Sequence, residues 1–410
     1  MHIQGAVWWA VMVVSTGCAG ISATQRKAWE TAAAPAVTAL QAAKFDEATQ
    51  LARGAVSQDP ANSGANAALA VSLYRKAIHD LVSDTITLGG AVAMAAIAHG
   101  GFISTEMLVD AFRRADERLA EVDGRLEVAA ADPEVSLELC LACWEVDWNR
   151  SGEIDERDRA LFQIEQDAQG HPLPPEDPRR RPTYRFDVSD VHWLKALVAF
   201  QRAAINLAQA WDWAAIAPVF IPRRGEHKLE EVHIPLRDAE QVKKARGFIL
   251  AGVAESRLCR AAALAETDDD REWLPNPRQK NYAMPLEVDD ALYTTWAQVL
   301  DDVDKLVRDE EAISVTELAQ LGKHQWADPP KGYLHVGKWL AAPREIVVPM
   351  THEGERDERV EHALQQLFGD AYSQLGPSSG LPARMQRMKA EVGLGRETFE
   401  KKLRYLLWVN

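Results

Sequence analysis

The chain has 410 residues, 47% of them hydrophobic and 26% charged, which is long enough for a large buried core and too apolar for a disordered polymer. Its 46 basic and 61 acidic residues leave a net charge of −15. That excludes the basic footprint of a nucleic-acid binder and suits cations or a basic partner.

The first residues read as an export signal and not as part of the fold. An apolar run from Ala6 to Val14 is too short for a membrane span, and small residues follow it. Ser15-Thr16-Gly17-Cys18 resembles the lipobox of bacterial lipoproteins, although Ser15 stands where Leu is usual and no Lys or Arg precedes the apolar run. The resemblance implies removal of a signal at residues 1–17 and acylation of Cys18. Ala19, where a retention signal carries Asp, implies the outer membrane, with plain periplasmic or secreted protein as the alternative. The mature chain is then lipid-anchored, not spanning. Cys140, Cys143 and Cys259 remain, too few for a disulfide framework. Cys140 and Cys143 fall in a helical pattern and read as small apolar core residues.

Downstream, the spacing predicts a mostly α protein: an irregular helical array with minor β. Residues 27–80 are Ala-rich and helical. Within them Phe45, Ala48, Ala55 and Pro60, followed by Leu69, Ala70, Leu73 and Tyr74, resemble a tetratricopeptide repeat. That resemblance implies a TPR-like helical hairpin; no 34-residue period continues, and Pro35 departs from it. Residues 85–105 lack charge and suit either a buried core helix or a membrane-inserted one. Another helix runs from Met107 to Ala130 and ends at Asp132-Pro133.

Next comes DWNRSGEIDERD, residues 147–158. Calcium takes six to eight oxygen ligands, and a twelve-residue loop offers them at positions 1, 3, 5, 7, 9 and 12 around a Gly at 6. Here Asp147, Asn149, Ser151, Glu153 (through its carbonyl), Asp155 and Asp158 hold those positions, Gly152 is in register and Ile154 is the buried apolar residue. The stretch resembles an EF-hand, and more closely the dockerin-type variant that closes its loop with Asp. The resemblance implies bound Ca2+ in a helix-loop-helix, with Leu139, Cys143 and Val146 on the entering helix and Leu161, Phe162 and Ile164 on the exiting one. Ser151 removes a charge and Arg159 replaces an apolar residue, which implies affinity near about 10⁻⁴–10⁻³ M. A loop without a partner loop is a structural clip.

Residues 169–185, rich in proline, read as a linker between a helical domain at 18–168 and a second at 186–375. In the second, Trp193, Leu197, Phe200, Ala204, Leu207 and Trp211 form one helical stripe. Residues 218–238 suggest a short hairpin, and helices are expected near 239–265 and 289–308. Ser314-Val-Thr-Glu317 has capping-box spacing. A linker at 376–382 leads to a basic helix at 383–410, with seven Lys or Arg against three Glu from Pro382 on.

Catalytic signals are weak. Gly376-Pro-Ser378-Ser-Gly380 fits G-x-S-x-G, but a nucleophile elbow needs a strand before it and a helix after, and the preceding residues look helical. His227, Glu231 and His233 are a candidate metal cluster; Trp273 and Trp326 are candidates for a ligand surface. The sequence therefore leads to a calcium-binding envelope lipoprotein without enzymatic activity. Its expected role is a structural or interaction scaffold with a protein partner, a membrane tether and no nucleic acid. A ligand-binding or transporter-accessory protein and an enzyme of unrecognised type are the alternatives.

Overall fold

The computed structural model describes residues 21–99, 105–144, 147, 152–154, 163–167, 170–216, 231–283, 288–321, 330–349, 361 and 364–391. Residues 1–20, including Cys18, lie outside them, as do His227 and Trp326. The architecture is mostly helical with short strands.

Four helices come first: α1 (Ala23–Gln41), α2 (Phe45–Gln58), α3 (Ser63–His99) and α4 (Thr105–Ala130). Ser22 caps α1 by accepting from the Gln25 amide at 3.2 Å, satisfying one of the donors a helix start leaves unpaired. The helix continues through Pro35, which costs an internal hydrogen bond. The first three helices pack through alanines: Ala33, Ala36, Ala48, Ala52, Ala65 and Ala68 are all buried. Small side chains let the helix axes approach closely. Of residues 85–105, the helical backbone is described through His99 and again at Thr105. No helix among the described residues is long and apolar enough to cross a membrane.

After Asp132-Pro133 the structure departs from the sequence reading. Leu137–Leu139 is a strand, β1, not part of a helix entering the loop. Its leucines point inward and Glu138 outward, a period of two that three residues barely reveal. It pairs antiparallel with β2 (Tyr184–Phe186). The cysteines, expected to be separate apolar core residues, form a disulfide around the 3-10 turn Leu141–Cys143. The proline-rich segment does not divide the core: β2 lies in it, Leu173 and Tyr184 are buried, and one apolar core runs from Ala33 to Tyr293.

At the centre lies α5 (Val188–Ala210), packed on α4 and on α6 (Ala239–Ala265). The single stripe expected on α5 is too narrow. Val191, Leu194, Ala196, Val198 and Ala199 are buried beside Trp193, while Ala204 is exposed. Neighbours on more than one side account for this. Lys195 is 5% exposed; it pairs with Glu127 and, at 2.9 Å, with Glu255, whose other oxygen is 2.7 Å from His192 Nδ1. An ammonium this deep persists because carboxylates surround it.

Helix α7 (Asp290–Arg308) is capped by Asp289. A three-stranded sheet then places β5 (Tyr333–Leu334) between β4 (Ile313–Ser314) and β7 (Tyr372–Ser373). Two short helices, α8 (Val315–Leu321) and α9 (Val336–Ala341), follow β4 and β5. Strand β3 (Glu231–Ile234) pairs with distant β6 (Ile346–Pro349), so the hairpin expected at 218–238 is not local. Ser314 Oγ accepts from the Glu317 amide at 3.3 Å, as the capping-box spacing predicts. Residues 369–371 form a 3-10 turn leading into β7, not the helix expected there. Of the basic C-terminal helix, α10 (Leu381–Glu391) is described, and its Arg384 reaches Asp302 at 2.6 Å.

Candidate functional site

The start of the 147–158 loop is held from several sides. Trp144 is buried, donates from Nε1 to the Leu40 carbonyl at 2.9 Å and meets the Phe45 ring edge-on at 5.2 Å. The Cys140–Cys143 disulfide lies just before it. From α3, His79 Nε2 lies 3.3 Å from the Asp147 carbonyl oxygen. Asp147 Oδ2 then accepts from the Gly152 amide at 2.7 Å, joining the first loop position to the sixth. Gly152 has φ +88°, where side chains are strained. Glu153 is exposed and Ile154 half-buried. Asn149, Ser151, Asp155 and Asp158, with Leu161 and Phe162, lie outside the described residues.

A second group of oxygens was not legible in the sequence. Asp187 caps α5, Glu266 caps the C-terminus of α6, and Glu272 lies in the loop beyond. Antiparallel packing of α5 on α6 brings the first two together, and a bridge from Glu272 to Arg185 brings the third. One carboxylate oxygen of each lies within 4.8 Å of the others. At that spacing each fully ionised pair repels by at least about 3 kcal/mol at an effective dielectric of 20. Asp190, 3% exposed, stands one turn into α5; its Oδ2 accepts from the Asp187 amide at 3.1 Å.

Burial, then the neighbouring Asp187 charge, pushes both Asp190 and Glu266 far above the usual carboxylate range. Burial foremost, with Asp187 and Asp268, raises Glu272 to about 7. A carboxyl raised in the folded state keeps a proton that the unfolded chain has already lost. Its effect is therefore a loss of stability as pH rises from the unfolded value of 4.5 through about 7. In chelator, urea unfolding should show stability declining from pH 5 to 8, with a shallower decline in Glu272→Gln. Parallel profiles for the two proteins would contradict this.

The other candidates carry less. Glu231 and His233 project from the exposed face of β3, 3.4 Å apart. Trp273 is no surface residue: it is 2% exposed and packs on Tyr184, Phe186 and Trp193. Ser378 is exposed, and its hydroxyl lies 3.3 Å from Glu317. His335 sits between Asp309 (3.0 Å) and Ser373 Oγ (3.2 Å) in triad-like order. Ser373, however, donates its proton to the Leu375 carbonyl at 2.6 Å. The three residues thus clasp the end of α7 to β5 and β7. A cleft of about 490 Å³ between α7 and α10 is lined by Asp290, Thr294, Gln298, Arg384 and Arg387. Asp302 and Gln298 occupy the Arg384 guanidinium there.

Comparison with protein-family models, curated proteins and solved structures finds no match for this chain.

Proposed function

We propose that this chain is a calcium-binding lipoprotein of the bacterial cell envelope, in which the ion stiffens the 147–158 loop and the helices beneath it. The observation that carries the calcium reading is the Asp147–Gly152 hydrogen bond across a left-handed glycine. It turns the first ligand position inward at the place where a calcium loop needs its sharp bend. The ligand set is Asp147, Asn149, Ser151, the Glu153 carbonyl, Asp155 and Asp158. Carboxylates, an amide, a hydroxyl and a main-chain carbonyl together suit a hard cation.

The mechanism is mechanical. His79 and Trp144 tie the loop's origin to α3 and α1, so closing the loop around an ion restrains the chain leaving it. An ion bound only by the folded form stabilises that form by mass action. With Kd at about 10⁻⁴–10⁻³ M, 10 mM calcium contributes roughly 1.4–2.7 kcal/mol. The Cys140–Cys143 disulfide supports an oxidising compartment, in keeping with export and a lipid on Cys18. The stiffened helical array then serves as a scaffold for a protein partner at the outer membrane.

Two measurements test this reading. Calcium should raise the melting temperature of the unmodified chain more than that of Asp147→Ala; equal rises in both would contradict it. Fatty-acid labelling in bacteria should disappear in Cys18→Ala, and label that persists there would remove the anchor.

A further inference from the structure

We propose that Asp187, Glu266 and Glu272, with Asp190 behind them, are a second site for a hard divalent cation, independent of the Asp147 loop. Three carboxylates from three separate segments converge within 4.8 Å of one another, a spacing that an oxygen-liganded ion spans. Convergence of acids alone is common, and the decisive observations lie beside it.

Asp190 is 3% exposed, yet its Oδ1 has no hydrogen-bond partner. Asp187, Glu266 and Glu272 are the charges that act on it. Glu266 is half-buried beside it: its Oε2 accepts from Gln279 at 3.1 Å, and its carboxyl lies directly against that of Asp187. Buried carboxylate oxygens are satisfied by donors or by cations.

The neighbouring arginines are committed elsewhere. Arg185 pairs with Asp268 at 2.8 Å, and Arg271 with Glu138 at 2.6 Å. Arg278 donates to the carbonyls of Leu264 and Glu266. A divalent ion supplies what they do not: two positive charges at one point, accepting several oxygens at once. All the donors are oxygen, so the site selects calcium or magnesium over softer metals. By tying the start of α5 to the end of α6 and the loop after it, the ion would lock the central helix pair.

The test is a count of ions by equilibrium dialysis of the full mature chain against radioactive calcium, beside Asp147→Ala and the double variant Glu266→Gln/Glu272→Gln. Two ions on the unmodified chain and one on each variant are expected. Asp187→Asn guards against misfolding, because Asn keeps the helix cap while removing one charge; it too should lose an ion. The proposal is overturned if the Gln variant holds as many ions as the unmodified chain, or if Asp147→Ala binds none. A single ion, retained in Asp147→Ala and lost in the Gln variant, would sink the loop and leave this site standing. In ion-free buffer the Gln variant should melt higher than the unmodified chain, since repulsion is relieved; a purely structural carboxyl pair would make it melt lower.

Discussion

Trp273→Ala should cost about 4–5 kcal/mol and lower the melting temperature by roughly 5–6 °C. The indole is buried, with ring centroids 4.8 Å from Tyr184, 5.4 Å from Phe186 and 5.5 Å from Trp193. Truncation removes these aromatic pairs, worth about 0.5–1.5 kcal/mol each beyond burial, and leaves a cavity that stiff neighbours fill poorly. Because the cluster joins β2, α5 and the 266–283 loop, the loss should appear as a lower urea midpoint with an unchanged slope. A cost below about 1 kcal/mol would return Trp273 to the surface role its proline-bearing loop suggests.

Lys195→Ala should cost about 3 kcal/mol, the lower end for breaking a buried pair. The lower end is expected because Glu127 is exposed and His192 still faces Glu255. Burial opposes the charge on Lys195, and the hydrogen bonds it donates to Glu127 and Glu255 outweigh it, raising its pKa. Lys195→Met keeps most of the stem and should recover only the packing share. Adding Glu255→Gln to Lys195→Met removes the stranded charge, so the double variant should be more stable than Lys195→Met alone. Additive losses in chemical denaturation would show that the ion pair does not hold the α5–α6 seam.

What the sequence made legible follows the range of the interaction. The helices at 239–265 and 290–308 are local products of spacing and end signals, and the Ser314 cap is set by residues three apart. The Asp147–Gly152 turn also lies within one short segment. Strand β1 escaped because Leu137-Glu-Leu is too short to separate a period of two from one of 3.6, and its partner Tyr184-Arg-Phe lies far along the chain. The proline-rich run suggested a boundary, but Leu173 and Tyr184 carry it into the common core. Nothing local joins Asp187 to Glu266 and Glu272. Only the antiparallel helix pair does, and a cap residue looks the same in sequence whether or not other acids face it.

Calcium calorimetry on the mature chain, beside Asp147→Ala and Asp158→Ala, reaches the central claim most directly. A saturable heat with a dissociation constant near about 10⁻⁴–10⁻³ M, of which the component absent from both variants belongs to the loop, is the predicted result. Titration heats from the two variants that overlay those of the unmodified chain, or no heat from any of the three at millimolar calcium, would contradict it.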